Sequence, residues 1–168
     1  PDGPDVVSFS FRSPSGAWFD YRPGQFLTLE LPLPGGTIHR TYTISSSPSR
    51  PLSITLTVKA AGASVGTRWM LDNIREGTLV KAIGPGGIFI PDVAPDRKLL
   101  LISAGSGVTP MMAITTYRWD IGGKPDICFV QCAKRPSELV FRRHLEHMAS
   151  RVPSIRLHYV VREDDPHG

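Results

Sequence analysis

Cysteine is scarce in this chain, and its scarcity excludes several kinds of protein. The 168 residues include two cysteines, Cys128 and Cys132. In one apolar strand this spacing puts both side chains on the same face, too far apart for a disulfide. Two thiols also cannot complete a zinc or iron–sulfur site by themselves. We therefore expect two buried cysteines that act as small apolar residues, no metal site in this chain, and a cytoplasmic location.

Long apolar runs and blocks of basic residues are also missing. No stretch approaches the roughly 20 apolar residues of a membrane-spanning helix, so membrane insertion is not expected. The net charge is +4, but the lysines and arginines are scattered along the chain. Such a diffuse excess does not indicate nucleic-acid binding, although it mildly favours an acidic partner protein.

Glycine and proline are plentiful, with sixteen of each, and they separate short patterned segments. Apolar residues alternate with polar ones in Leu27–Leu31 and again in Leu52–Val58. This period of two is typical of half-buried antiparallel strands. A further strand is predicted at 78–83, with a short helix at 67–73 before it. Residues 1–94 are thus interpreted as an antiparallel β-barrel, a form that closes a sheet without open edges.

The pattern changes in the second part of the chain, which we assign to residues 95–168. Leu99–Ile102 is an almost unbroken apolar run, as expected of a strand covered on both faces. The next segment predicts a helix that begins with Thr109 as N-cap and Pro110 at its first position, and that ends near Asp120. The other predicted elements are a buried strand at 127–130, a helix through Phe141, Leu145 and Met148, and an alternating strand at 155–161. Together they form part of a doubly wound parallel sheet.

A glycine-rich turn connects the first of these strands to its helix. It reads Gly105-Ser106-Gly107-Val108-Thr109-Pro110, and in this position backbone N–H groups could face a pyrophosphate. The spacing departs from the usual G-x-G-x-x-G, so an ordinary tight turn is the alternative. Lys134 and Arg135 follow the second strand at its carboxyl end, where parallel sheets place ligands. A solvated basic loop is an equally good interpretation of those two residues.

A second motif, Arg40-Thr41-Tyr42-Thr43, lies in the strand-rich part. In an extended segment Arg40 and Tyr42 point to one side and Thr43 to the other. An arginine suits phosphate oxygens, and a tyrosine ring can lie on a planar ligand while its hydroxyl stays wet. Taken alone, an ordinary surface strand is the better interpretation of this segment.

Six segments follow one another in order over nearly the whole chain. They are Pro23–Phe26, Arg40–Pro48, Thr57–Lys59, Gly84–Phe89, Ile102–Met112 and Phe141–Leu145. In this combination they resemble the ferredoxin–NADP reductase superfamily. Within it, the resemblance is greatest to the reductases that serve Rieske-type oxygenases and hybrid-cluster proteins.

The resemblance implies a β-barrel plus an α/β domain, with the barrel binding flavin and the α/β domain binding a nicotinamide nucleotide. Such a protein is an NAD(P)H-dependent flavoprotein reductase. FAD is the implied flavin, although FMN stays open, and so does the choice between NADH and NADPH. Electrons would reach an iron–sulfur acceptor, either a ferredoxin or a Rieske-type oxygenase. Two alternatives are an electron-transfer subunit of a larger flavoenzyme complex and a barrel that binds a ligand other than flavin.

The resemblance also implies roles for particular residues. Arg40 would contact the flavin phosphate, Tyr42 would pack on the isoalloxazine, and Thr43 would lie near the ring nitrogen that accepts hydride. The other residues implied for the flavin are Ile44, Ser45, Val58, Lys59, Gly66 and Thr67. Those implied for the dinucleotide are Gly105, Ser106, Gly107, Thr109, Pro110, Lys134 and Arg135.

Two features of the family have no counterpart in this sequence. Members carry a Cys-Gly-Pro-type motif late in the nucleotide domain. Many oxygenase reductases also add a ferredoxin domain, in which four clustered cysteines hold a [2Fe–2S] cluster. The start of the chain, moreover, resembles the middle of the first barrel strand. These differences predict a fragment that binds flavin but reduces it poorly.

Overall fold

Antiparallel strands come first in the computed structural model, and a parallel sheet follows. The structure describes residues 5–60, 64–92, 94, 97–122 and 124–163. The strands are β1 (Val6–Phe11), β2 (Phe26–Leu33), β3 (Gly36–Thr43), β4 (Ile54–Lys59), β5 (Lys81–Gly86), β6 (Lys98–Ala104), β7 (Asp126–Ala133) and β8 (Ile155–Val161). The helices are α1 (Val65–Asn73), α2 (Val108–Asp120) and α3 (Arg142–Arg151). In this part of the chain, no helix has the length and hydrophobicity needed to cross a membrane.

The antiparallel strands form two sheets around one apolar core. β1 pairs with β4, and β2 lies between β3 and β5. An isolated bridge between Ile44 and Leu56 joins the two sheets. The period of two determines which side chains enter the core, since Leu27, Leu29 and Leu31 are buried and the residues between them are only half-buried. This barrel-like arrangement confirms the predicted antiparallel fold.

The barrel differs from the prediction in its closure and in two strand boundaries. Within the described residues no ladder joins β1 to β5, so this side is an open cleft rather than a closed wall. The strand expected at 78–83 begins at Lys81, because Thr78 belongs to a turn in which its Oγ1 accepts a hydrogen bond from the Arg75 N–H. Leu52 lies before β4, in a turn that leaves it 62% exposed.

The second part of the structure is a parallel sheet with the strand order β6-β7-β8. Both α2 and α3 pack on one of its faces. Leu101, Phe129 and Ile155 of the strands form a core there with Met112 of α2 and Leu145 of α3. Strand, helix, strand, helix and strand therefore follow one another as predicted, and they confirm the partial doubly wound sheet.

The opposite face of this sheet is open, contrary to the expectation for its first strand. Leu100 and Ile102 are 64% and 58% exposed. Cys128 is paired in register with Leu100 on the same face, and both Cys128 and Cys132 are half-buried free thiols rather than buried residues. The reason is that both helices cover the other face. In the described part of the chain, no group of three or more His, Cys, Asp or Glu side chains could hold a metal ion.

Neighbouring substitutions in β6 should differ strongly in their effect on stability. Leu101→Ala removes a side chain that is 5% exposed and should lower the free energy of unfolding by about 2–5 kcal/mol. Ile102→Ala removes a side chain that lies mostly in water and should cost less than about 1 kcal/mol. Urea denaturation of both variants measures the difference. Equal losses would contradict an open face at Ile102.

Candidate functional site

Two groups of residues that the family resemblance implies for flavin binding, one on β3 and one on α1, lie side by side. The Tyr42 hydroxyl is 3.3 Å from the Thr67 Oγ1, across a separation of 25 residues. Gly66 is buried in the first turn of α1, and a Cβ added there would come within 2.9 Å of the Arg40 Cγ. Any larger residue at Gly66 would therefore push the Arg40 side chain away from the helix. The fold thus brings Arg40, Tyr42, Gly66 and Thr67 together.

The first turn of α1 suits an anion. The helix has nine residues, no side-chain cap and no acidic residue in its first turn. Ser64 precedes it, but its Oγ donates to the Thr67 Oγ1 at 2.9 Å, so that hydroxyl does not cover the backbone N–H groups. These N–H groups form the positive end of the helix dipole. A phosphate beside them would also meet the Arg40 guanidinium, and the residues present therefore fit the phosphate of a flavin nucleotide.

The strand turns into the protein interior after Tyr42. Thr43 is half-buried and pairs with Phe26. Ile44 is fully buried, and its N–H donates to the Gln25 carbonyl at 2.9 Å. Ser45 is buried too, with its Oγ 2.9 Å from the Thr57 Oγ1. Ile44 and Ser45 thus shape the end of the strand, and their side chains are already used within the protein.

Lys59 reaches from the end of β4 to the second part of the chain. Its Nζ lies 2.7 Å from the Glu138 Oε2, and both side chains are partly buried. The hydrogen bond from Lys59 lowers the pKa of Glu138, and the charges of Lys134 and Arg135 lower it further. Val58, next to Lys59, has its side chain in the barrel core, so only its backbone could meet a ligand.

The predicted glycine turn is exposed and has room above it. Gly105, Ser106 and Gly107 form one turn of 3₁₀ helix that continues directly into α2. Gly105 has φ +54°, in the left-handed region that favours glycine. Gly107 has φ −63°, which any residue adopts. Apart from the adjoining backbone and chain neighbours, no atom of the described residues lies within 4 Å of a Cβ added at Gly107, so packing within the protein does not require glycine there. Close approach by a ligand would explain it.

Thr109 does not cap α2, which corrects the prediction. The helix begins at Val108 with Gly107 as N-cap and has no side-chain cap. The Thr109 Oγ1 instead donates to the Ser106 carbonyl at 3.0 Å, which ties the glycine turn to the helix. Pro110 is the third helical residue rather than the first, a position whose N–H would also have no partner within the helix. Because the 3₁₀ turn runs straight into α2, no separate cap residue is needed.

Lys134 and Arg135 lie just beyond β7, as predicted, and both are exposed. The Arg135 Nε is 3.3 Å from the Glu163 Oε2, and the Lys134 carbonyl accepts from the Glu163 N–H at 2.8 Å. Glu163 and Glu138 are therefore neighbours of the candidate nucleotide site that the sequence analysis missed. Neither belongs to a recognisable motif, so the sequence carried no signal for them.

Comparisons with known proteins point to one family. The sequence profile of the oxidoreductase FAD-binding domain matches residues 3–90. The chain is 58% identical, over 99% of its length, to the stachydrine N-demethylase reductase subunit of Rhizobium meliloti, of which it covers 47%. It is 40% identical, over 98% of its length, to the glycine betaine monooxygenase reductase subunit of Chromohalobacter salexigens, of which it covers 45%. The chain thus spans about half the length of the curated relatives it matches.

A solved structure has the same fold. Phthalate dioxygenase reductase superposes with a TM-score of 0.81 at 22% identity, over 99% of this chain and 50% of that one. At this level of identity the likeness concerns the fold alone. It extends over both the antiparallel strands and the parallel sheet.

Proposed function

Because the chain belongs to the oxidoreductase FAD-binding domain family, within the ferredoxin–NADP reductase superfamily and its oxygenase reductases, we propose that it is part of a reductase that transfers electrons from NAD(P)H through FAD to an oxygenase component. The observation that carries the proposal is the meeting of Arg40, Tyr42, Gly66 and Thr67 at the uncapped first turn of α1. At this point the protein offers a cation, an aromatic ring, a glycine that lets α1 approach β3 closely, and free N–H groups. This combination matches a flavin nucleotide.

The flavin part is proposed to comprise residues 1–94 and the nucleotide part residues 95–168. Antiparallel pairing extends to Gly86 and parallel pairing begins at Lys98, which supports a division between them. Residue 95 itself lies outside the described residues. The nucleotide part would be completed by chain that the longer relatives possess.

Several residues of the flavin part would have distinct tasks in binding FAD. Bound FAD supplies hydride acceptance and the release of single electrons. Arg40 and the first N–H groups of α1 would hold its phosphate groups. Tyr42, half-buried and hydrogen-bonded to Thr67, would form a wall that excludes water from the ring. Thr43, next along the strand, would lie beside the reacting edge, while Val58 and Lys59 would offer their backbone.

The dinucleotide would lie across the carboxyl ends of β6 and β7. Gly105, Ser106 and Gly107 would present N–H groups and open space to its pyrophosphate, with Thr109 and Pro110 supporting the turn from α2. Lys134 and Arg135 would meet a ribose or a phosphate. These positions are supported by the exposure of the turn and by the location of both basic residues at the end of β7.

The acceptor is inferred from the names of the relatives. Two of them are reductase subunits, one of a demethylase and one of a monooxygenase. We therefore propose an oxygenase component as the partner and an iron–sulfur centre as the group that takes the electrons, with a [2Fe–2S] cluster in the longer protein. Two free cysteines accord with a cytoplasmic location.

The proposal is tested by purifying the chain with FAD, checking its fold by circular dichroism, and recording the visible spectrum. NADH or NADPH is then added without oxygen. We expect a bound flavin spectrum, and bleaching would show that this chain alone supports hydride transfer. A bound flavin that does not bleach would support the flavin part and place competent nucleotide binding in the longer protein. A folded chain that binds no flavin would overturn the proposal.

A further inference from the structure

Asp120 stands at an unfavourable position of its own helix. It is the last residue of α2, where the negative end of the helix dipole favours a cation over a carboxylate. The helix alone therefore gains nothing from an aspartate at this point. Its contacts outside the helix have to account for it.

Those contacts are made with the loop that follows the proposed flavin strand. The Arg50 Nε donates to the Asp120 Oδ2 at 3.0 Å, and its Nη2 donates to the Oδ1 at 2.7 Å. The Ser49 Oγ donates to the Oδ2 at 2.5 Å. A bidentate arginine–carboxylate pair fixes orientation as well as distance. The Asp120 side chain is 12% exposed and that of Arg50 is 65% exposed, so the carboxylate is largely buried while the guanidinium faces solvent.

The carboxyl is ionised near neutral pH. Burial raises the pKa of Asp120, but hydrogen bonds from Arg50 and Ser49 outweigh burial and hold the pKa below its ordinary value. Because folding lowers the pKa of Asp120, the ion pair stabilises the fold fully at pH values above the pKa of the unfolded state. This stabilisation is lost as the pH falls through the lowered pKa of the folded state. The contact is therefore constant at physiological pH.

The loop that carries Arg50 is itself held in place. The Ser47 and Ser49 hydroxyls are 2.6 Å apart, and the Arg50 N–H donates to the Ser47 carbonyl at 3.1 Å. The Pro51 carbonyl accepts from the Phe19 N–H at 2.8 Å. These contacts hold residues 47–51 in place, so Arg50 offers Asp120 a fixed partner rather than one on a loose loop.

The two ends of α2 therefore serve different sites. At 1.5 Å per residue, its thirteen residues form a rod of about 20 Å. The glycine turn stands at the N-terminal end of the rod, and Asp120 stands at the other. One rigid element thus joins the proposed nucleotide site to the loop that follows Thr43.

The junction beside α2 contains a polar cavity, and next to it Val6 of β1 packs in the apolar core of the parallel sheet. A cavity of about 260 Å³ lies between β4 and α2 and is lined largely by hydroxyl side chains, among them Ser45, Thr57 and Thr116. Polar junctions of this kind allow neighbouring domains to move unless specific contacts hold them. The ion pair of Lys59 with Glu138 is a second contact across the junction.

We propose that Asp120 is a positioning residue, which holds the glycine turn in a set place relative to the flavin strand by anchoring α2 to Arg50 of the barrel. The effect of this anchoring on the reaction rests on the proposed function. The anchoring itself is open to measurement without any cofactor.

The first test compares Asp120→Asn with Asp126→Asn in the cofactor-free chain. The first change keeps the shape of the side chain and removes its charge. The control also removes an aspartate charge, but from the ion pairs that Asp126 makes with Arg156 and Lys98 within the parallel sheet. Amide hydrogen exchange is followed in the segments 47–53 and 105–110. We expect Asp120→Asn to speed exchange about tenfold in both segments, and the control to do so in neither. Unchanged exchange at 105–110 would overturn the proposal.

A double-mutant cycle tests the mechanism. Arg50→Gln removes the partner on the barrel side and should speed exchange at 105–110 as much as Asp120→Asn does, although α2 separates Arg50 from that segment. The double variant should exchange no faster than either single one, because both changes break one contact. A purely local role for either residue predicts separate, additive effects, and additive effects would overturn the anchoring mechanism.

In the flavin-loaded protein we expect the affinity for FAD and the rate of flavin bleaching to respond differently to the substitution. Asp120→Asn should keep FAD affinity within about twofold, while bleaching by saturating NADH slows about tenfold, since hydride transfer is sensitive to small misplacements. An equal loss of flavin affinity and rate would contradict a positioning role. If the unsubstituted chain binds no flavin, the proposed function fails, and if its bound flavin does not bleach, the rates of this chain cannot be compared. In both cases the exchange experiment still decides whether Asp120 anchors α2.

Discussion

Arg40→Met should lower the affinity for FAD by about 10- to 100-fold, the range that follows from losing one or two charge-assisted hydrogen bonds to a phosphate. Arg40 is exposed beside the uncapped first turn of α1. Its Nη1 donates to the His39 carbonyl at 2.9 Å, and the rest of the exposed guanidinium can meet an anion there. Methionine keeps the aliphatic stem that lies against Gly66, and the packing of α1 on β3 should survive. Fluorescence titration with FAD measures the affinity, and urea denaturation confirms that stability is retained.

Arg12→Met is the matched control for this experiment. Arg12 is also exposed, follows β1 and lines the open cleft of the barrel. Both variants lose one positive charge, so a general attraction of the basic protein for an anionic ligand would weaken binding equally in both. We expect Arg12→Met to keep FAD affinity within about twofold. Equal losses would indicate a net-charge effect, and full affinity in Arg40→Met would place the flavin phosphate elsewhere.

Gly107→Ala should leave the fold intact and weaken dinucleotide binding by about tenfold or more, because its methyl group would occupy the place of a phosphate that contacts backbone N–H groups. Its φ of −63° suits alanine, and apart from the adjoining backbone and chain neighbours no atom of the described residues lies within 4 Å of the new Cβ. The free energy of unfolding should therefore stay within about 1 kcal/mol or rise slightly. Calorimetric titration with NAD⁺ and NADP⁺ measures binding, and urea denaturation measures stability.

Gly35→Ala provides the comparison. Gly35 is exposed in the turn between β2 and β3, and apart from its chain neighbours a Cβ there also has no described atom within 4 Å. It adds the same methyl group far from the glycine turn along the chain and should leave binding unchanged. Full dinucleotide affinity in Gly107→Ala would remove the support for a nucleotide at this turn. Failure of the unsubstituted chain to bind either nucleotide would contradict that role in this chain.

Local patterns predicted most elements, but not how they are covered. Alternation in Leu27–Leu31 correctly identified an inward face, because a strand with period two has only two faces to choose from. The run Leu99–Ile102 was harder to interpret, since an apolar residue on either face is equally compatible with a strand. Only the position of α2 and α3 shows that Leu101 is buried and Ile102 is open.

The candidate site also divides into features that the sequence predicted and features that only the structure shows. The motifs at Arg40–Thr43 and Gly105–Pro110 could be recognised from the sequence because each is contiguous. The contact of Tyr42 with Thr67 spans 25 residues, and the contact of Arg50 with Asp120 spans 70. Such pairs leave no local pattern, because their residues meet only after the chain has folded.

The sequence by itself determined the order of the elements, the two contiguous motifs and the family resemblance from which the ligands of those motifs are inferred. Each of these depends on residues near one another in the chain, where periodicity, glycine conformation and turn geometry act. The tertiary structure alone decided that α1 meets β3 at Gly66, that Lys59 reaches Glu138, and that α2 ends on Arg50. The first contact depends on how α1 packs on the barrel, and the other two depend on how the barrel and the parallel sheet pack together. Packing of both kinds is a property of the whole folded chain.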